Sequence, residues 1–88
     1  MATAEFDWDE ANIGHIARHG VSPEEVEQAF ANDPLAVIAE QERSREQRVL
    51  CAGRTNAGRP LQFVYTVRHG RIRVITAHTA HKKLREKI

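Results

Sequence analysis

Cysteine, aromatic residues and long apolar runs are all scarce in this 88-residue chain. The single cysteine, Cys51, excludes an internal disulfide and a cysteine-rich zinc site, so nothing requires an oxidising compartment and a cytoplasmic location is expected. The longest unbroken apolar run, residues 35–39, is far too short to cross a bilayer. The acidic start of the chain lacks the basic and apolar regions of a signal peptide, so no membrane contact is expected.

Glycine and proline are also few, at five and three residues. The glycines are scattered, which excludes a glycine-rich phosphate-binding loop. A chain of this length has room for one small domain, residues 1–88, and none for a separate cofactor domain. We therefore expect a single domain without a cofactor.

Charge, by contrast, is abundant and unevenly placed, although the formal net charge is only +1. Residues 1–42 hold ten acidic side chains and one basic one, a net charge of −9, and residues 43–88 hold twelve basic and two acidic ones, a net charge of +10. This asymmetry indicates a surface for polyanions or for an acidic partner. The alternative is that the two halves neutralise each other across the fold.

Two helix signals follow one another near the N-terminus. Asp9 is placed to cap a first helix and Gly20 to end it in the left-handed conformation. Ser22 and Glu25 form a capping box for a second helix with proline at its first position, and the Asn-Asp-Pro sequence of residues 32–34 stops it. The sequence therefore predicts an αα-hairpin.

Beyond residue 34 the apolar pattern becomes extended and predicts strands over residues 35–40, 48–55, 60–67 and 71–77, with a charged loop over 41–47 and a helical turn or two in the tail, 79–88. The connections are short, so adjacent strands are expected to pair antiparallel. The predicted fold class is α+β, with the αα-hairpin packed on one face of an antiparallel sheet of about four strands, followed by a short C-terminal helix.

Turn residues predict the register of the sheet. A His69-Gly70 turn and a loop over residues 56–58 give the cross-strand pairs Val67–Ile72, Tyr65–Val74, Phe63–Thr76, Cys51–Phe63 and Val49–Tyr65. The face expected to pack on the helices then collects Val49, Cys51, Leu61, Phe63, Tyr65, Val67, Ile72 and Val74. Cys51 is therefore expected to be packed rather than reactive.

The opposite face is predicted to hold an apolar patch bordered by arginines: Leu50, Ala52, Val64, Ile75 and Ala77, with Arg54, Arg68, Arg71 and Arg73 around them. Arg68 and Arg71 fall opposite each other, and like charges across a ladder destabilise it, so an anionic partner is expected. The alternative is that the tail folds over this face and the arginines extend into water.

The histidines fall into two groups. His15 and His19 are four apart on a helix, but no third ligand is suggested, so we expect structural roles and no metal site. His78 and His81 follow the strand that carries Arg71 and Arg73 and lie next to basic residues, Lys82 and Lys83. RNA supplies its own nucleophile, the 2′-hydroxyl, so cations and a proton-exchanging group are enough for a minimal ribonuclease. The alternative is a basic tail with two solvated histidines.

Together these residues resemble a known family. The segments that carry the resemblance are residues 6–12 (FDWDEAN), 18–21 (RHGV), 23–30 (PEEVEQAF), 33–35 (DPL), 53–55 (GRT), 58–59 (GR) and 71–77 (RIRVITA). In this order they resemble the BrnT-type toxins of bacterial type II toxin–antitoxin pairs. The resemblance implies a RelE-like ribonuclease fold, metal-independent RNA cleavage, and an antitoxin partner with a ribbon-helix-helix domain. It also implies that the toxin contacts DNA only through this antitoxin.

The tail departs from the family pattern. Family members commonly have arginine where this chain has His78, and an acidic residue and a tyrosine near Leu84 and Ile88. The expected catalytic residues are Arg54 and Arg73, for phosphate charge, and His78, as base or acid; the expected RNA-binding residues are Arg68, Arg71, His81, Lys82 and Lys83. The alternatives are a catalytically weak or silent module that acts through its antitoxin in transcriptional autoregulation, and a small nucleic-acid binder without chemistry or partner.

Overall fold

The computed structural model describes residues 4–41 and 47–88, and for residues 37–41 only the backbone. Its elements in chain order are α1 (Glu10–Ala17), α2 (Pro23–Ala31), β1 (Leu35–Gln41), β2 (Gln47–Arg54), β3 (Pro60–Arg68), β4 (Arg71–Thr79) and α3 (Lys82–Arg85). The four strands form an antiparallel sheet in the order β1-β2-β3-β4. The predicted α+β class is confirmed. Of the predicted loop over 41–47, residues 42–46 lie outside the described residues, and its two end residues belong to strands.

The helices begin where local chemistry predicts. The Asp9 carboxylate accepts the backbone N–H groups of Ala11 and Asn12, and the Asn12 side chain accepts the N–H of Asp9 in return. Ser22 and Glu25 make the same reciprocal arrangement at the start of α2. Both helix starts are therefore capped by side chains close in the chain, which satisfy part of the backbone N–H groups that a helix start leaves without an intrahelical partner.

The turn-based register is confirmed near the turns. Cys51 pairs with Phe63, Val49 with Tyr65, Tyr65 with Val74 and Val67 with Ile72. His69 and Gly70 both have positive φ, 53° and 75°, as a two-residue hairpin turn requires.

One predicted pair, Phe63 with Thr76, is wrong. Val64 pairs with Thr76 and Tyr65 with Val74, so Ile75 is an extra residue that forms a β-bulge, and Phe63 pairs with Ala77 instead. Because side chains alternate along a strand, one extra residue exchanges the faces of everything beyond it. Ala77 therefore belongs to the fully buried core and not to the opposite face.

The main core lies between the helices and one face of the sheet, as predicted. Its buried members are Ile16, Val21, Val26, Ala29, Cys51, Leu61, Phe63, Val74 and Ala77. Phe30 joins the helices to the sheet by edge-on contacts with Phe6 and Tyr65, at centroid distances of 5.4 and 5.7 Å. Val67 is 60% exposed, so its predicted place in the core is wrong; it stands at the end of β3 beside the turn.

The edge of β4 is covered by the N-terminal segment and by α1. Ile72 exchanges backbone hydrogen bonds of 2.8 Å with Glu5 and Asp7, and the Asn12 amide donates to the Val74 carbonyl at 3.2 Å. These contacts satisfy groups that an edge strand would otherwise expose. They also place the C-terminal half of α1 alongside the last residues of β4.

The tail folds over one end of the outer face, the face of the sheet opposite the main core. The N–H of His81 donates to the Gln62 side chain at 2.8 Å, and that of Ala80 to the Pro60 carbonyl at 3.0 Å. Ala52 and Ala80 are buried outside the main core. The alternative of a covering tail is therefore correct at this end, and Ala52 is not part of an exposed patch. No helix of the described part of the chain is long and apolar enough to span a membrane.

Candidate nucleic-acid interface

A cleft opens on the outer face between α1 and the sheet. It has a volume of about 400 Å³ and is lined by Ala11, Asn12, His15, Arg48, Arg68, Arg73, Val74 and Ile75. Three guanidinium-bearing side chains from three different strands thus meet around one opening, which we call the arginine cleft. Sequence reasoning found Arg68 and Arg73 but missed Arg48 and His15, because their proximity depends on strand pairing and on how α1 packs.

Arg73 is largely covered, with 18% of its side chain accessible, against 58% for Arg71. Its Nη1 lies 3.0 Å from a carboxylate oxygen of Asp9 and 3.4 Å from one of Asp7. The hydrogen bond with Arg73 lowers the pKa of Asp9, and the same hydrogen bond raises the pKa of Arg73. Arg73 is therefore held as a cation in the lining of the cleft.

Arg68 and Arg71 face each other across the hairpin, as predicted. Arg71 Nε lies 3.4 Å from a carboxylate oxygen of Glu5, and both side chains are largely exposed. The N-terminal segment thus supplies part of the negative charge that was expected from an external anion. The alternative reading of the charge asymmetry, neutralisation between the halves, holds for Arg71 and Arg73, although exposed pairs of this kind contribute only about 0–1 kcal/mol.

Four imidazole rings form a row along the covered edge of β4. The ring centroids of His15 and His19 are 5.6 Å apart, those of His19 and His78 5.7 Å, and those of His78 and His81 5.5 Å. Sequence reasoning treated the helix pair and the tail pair separately. Only the packing of α1 beside β4 joins them into this histidine row, and no local sequence signal reports that packing.

A hydrogen bond to the backbone favours one tautomer of the His78 ring. Its Nδ1 lies 3.0 Å from the backbone carbonyl of Thr79, and a carbonyl oxygen can only accept, so Nδ1 carries the proton. In the neutral ring this leaves the lone pair on Nε2. His78 is half-buried and His81, Lys82 and Lys83 are exposed, so the row continues into the basic start of α3.

Comparison with protein-family models matches residues 8–83 to the ribonuclease toxin, BrnT, of type II toxin–antitoxin systems. The chain belongs to the BrnT family. The resemblance found in the sequence is confirmed over almost the whole chain, and membership makes RNA the target and an antitoxin the partner. No curated protein matches this BrnT-family toxin in a sequence comparison.

Arg54 is the predicted site residue that this BrnT-family toxin places apart. It ends β2, two strands from β4, and its guanidinium donates to three backbone carbonyls, those of Gly58 at 3.0 Å, Arg85 at 3.3 Å and Ile88 at 3.4 Å. These contacts tie the tail to the sheet. Arg54 is not brought together with Arg73, and its predicted catalytic role stays a prediction.

The remaining expectations for this BrnT-family toxin concern metal ligands and the thiol of Cys51. Within residues 4–41 and 47–88, no group of three or more His, Cys, Asp or Glu side chains is arranged to hold a metal ion. Cys51 is buried, as predicted, and burial raises the pKa of its thiol, which disfavours the reactive thiolate.

Proposed function

We propose that this BrnT-family toxin is an endoribonuclease that cleaves RNA bound across the outer face, without a metal ion. The observation that carries the proposal is the β-bulge at Ile75, which brings His78 to the same face of β4 as Arg73. Arginines that hold a phosphate chain and an imidazole that exchanges protons are the groups such cleavage needs. By resemblance to its family, the single domain of residues 1–88 has a RelE-like fold.

The proposed reaction is an internal transesterification. A base removes the proton of a 2′-hydroxyl, and the 2′-oxygen attacks the adjacent phosphorus. The bond from phosphorus to the 5′-oxygen breaks, and an acid gives a proton to that oxygen. The products are a 2′,3′-cyclic phosphate and a 5′-hydroxyl, and no water or cofactor is consumed.

The proposed roles follow from position along β4. His78 acts as base or acid through Nε2. Arg73 and His78 pair with Thr66 and Gln62, which are four residues apart on β3, so they lie about 13 Å apart at about 3.3 Å per residue. We therefore place Arg73 with Arg68 and Arg71 on a neighbouring phosphate. His81, Lys82 and Lys83 hold the chain on the other side of His78. Contact of Arg73 or Arg54 with the reacting phosphorus stays a prediction.

The antitoxin partner, we propose, has a ribbon-helix-helix DNA-binding domain and covers the outer face. Acidic side chains of the antitoxin would take the place of RNA phosphates on the same arginines. The toxin would then meet DNA only through the antitoxin, and both would act in the cytoplasm, where the RNA target is found.

The test is cleavage of an RNA oligonucleotide by the purified toxin in EDTA and in Mg²⁺. We expect equal rates, cyclic phosphate and 5′-hydroxyl ends, and no cleavage when the scissile nucleotide carries a 2′-hydrogen. The matched variant His78→Gln keeps hydrogen bonding but cannot transfer protons. Products with 3′-hydroxyl ends, or activity only with Mg²⁺, would contradict the proposal.

A catalytically weak or silent module that regulates transcription with its antitoxin is the second candidate. It is favoured by the ion pairs of Arg71 and Arg73 with the chain's own acidic residues, which reduce the positive charge offered to RNA. An operator gel shift with antitoxin, with and without toxin, tests it. Tighter operator binding without RNA cleavage would support this candidate over the first.

A further inference from the structure

Arg59 clamps the end of α1 to the end of β4. Its Nη1 donates to the Gly20 carbonyl at 2.8 Å and to the Glu25 carboxylate at 2.9 Å, and its Nη2 donates to the Thr79 hydroxyl at 3.3 Å. Gly20 directly follows His19, and Thr79 directly follows His78. One guanidinium therefore links the residue that follows His19 to the residue that follows His78.

We propose that His19 is the second proton-transfer group of the ribonuclease site, paired with His78 and positioned by Arg59. The inference rests on the proposed function and completes it. Cleavage through a 2′-oxygen needs a base at the nucleophile and an acid at the leaving oxygen, and one imidazole cannot occupy both positions at once. Sequence reasoning gave His19 a structural role at the helix end.

The distance between the His19 and His78 rings is consistent with one ring acting as the base and the other as the acid. Their centroids are 5.7 Å apart. A proton-transfer group must come within about 2.6–3.2 Å of its reacting atom, and the two reacting oxygens belong to one phosphate group, so the base and the acid must be close enough to reach the same phosphate, as two neighbouring rings are. His19 is exposed and His78 half-buried, so an RNA strand on the surface can reach both.

The charged and titratable groups around the pair come from the three helices, from the loop before β3 and from the residue before α3. His15 of α1 neighbours His19, and His81 neighbours His78. Arg59, beside the pair, is partly neutralised by Glu25 of α2. Lys82 and Lys83 of α3 follow directly in the chain. These cations favour a bound phosphate, whose developing charge they stabilise.

The test is single-turnover RNA cleavage from about pH 5 to about pH 9, the range in which imidazole titrates. Wild type is expected to show a bell-shaped profile. His19→Gln is expected to lower the rate by about 10²–10⁴-fold and to remove one limb of the bell, while His78→Gln removes the other. The melting temperature should not change in His19→Gln, since the side chain is exposed. RNA affinity, measured by fluorescence anisotropy, should also be kept, since glutamine retains a hydrogen-bonding group of similar size.

Two further variants separate proton transfer from general effects. His69→Asn removes a histidine at the distant hairpin, where φ is 53° and asparagine is tolerated, and should cleave like wild type. Arg59→Lys keeps the charge but loses the rigid fork that reaches three acceptors, so it should slow cleavage while both limbs remain. A thermal melt of Arg59→Lys reports how much of its loss is unfolding.

The outcomes are distinguishable. If wild type does not cleave RNA, the proposed function itself fails. If wild type cleaves and His19→Gln retains its rate and both limbs, His19 has no part in proton transfer and the inference is wrong while the function stands. If His19→Gln loses RNA affinity in proportion to rate and keeps both limbs, His19 only binds phosphate, which also overturns the inference.

Discussion

Replacement of Arg54 by alanine should release the tail from the sheet. Arg54 donates three hydrogen bonds to carbonyls of Gly58, Arg85 and Ile88, at 3.0, 3.3 and 3.4 Å. A hydrogen bond contributes a net of about 0.5–1.5 kcal/mol, and two of these are longer than the usual 2.9–3.0 Å, so the lower part of that range applies. We expect the free energy of unfolding to fall by about 1–2 kcal/mol. For a domain of this size that corresponds to a melting temperature lower by about 4–16 °C.

Thermal melts followed by circular dichroism measure this loss, with Arg71→Ala as the matched control. Arg71 makes an exposed ion pair with Glu5 and faces Arg68, so its removal should leave the melting temperature unchanged or slightly higher. If Arg54→Ala melts like wild type and loses RNA cleavage, the tail-holding role is wrong and the catalytic role predicted from the sequence is correct. If Arg71→Ala melts well below wild type, the arginines of the outer face are structural.

Three further predictions concern packing, pH and salt. Gly53→Ala should lower the free energy of unfolding by about 1–3 kcal/mol, measured by chemical denaturation, because a Cβ at residue 53 would lie 2.8 Å from the backbone carbonyl oxygen of Ala29. An unchanged free energy of unfolding would mean that α2 can shift to make room. Burial opposes ionisation of Glu25, but hydrogen bonds from Arg59 and Ser22 outweigh burial and lower the pKa of Glu25. The ionised Glu25 therefore stabilises the fold above its ordinary pKa of 4.5, and this stability is lost as the pH falls through the lowered pKa. Glu25→Gln should make the free energy of unfolding less dependent on pH in the acid range, and an unchanged dependence would contradict this. RNA affinity, measured by filter binding, should fall steeply as the salt concentration rises, because each phosphate contact releases counterions, and it should fall less steeply for Arg73→Ala. An affinity that does not depend on salt would exclude a surface for polyanions.

The sequence by itself determines the local features of this toxin, because their causes lie within a few residues. Capping boxes need two side chains three positions apart, and hairpin turns need residues that accept positive φ, so Asp9, Ser22 and the His69-Gly70 turn could all be placed without a structure. The alternation of apolar residues then predicted the four strands and most of the core. Family membership followed from the order of these same local segments.

Only the tertiary structure decides on which face of the sheet the last side chains of β4 lie and which residues lie beside them. A bulge leaves no mark on alternation until the partner strand is aligned, and here the extra residue, Ile75, exchanges Ala77 into the core and His78 onto the face of Arg73. Likewise His19 meets His78 only because Asn12 and Arg59 fix α1 along the strand edge. Contacts between residues about sixty positions apart depend on packing that no short segment encodes, and the proposed chemistry depends on those contacts.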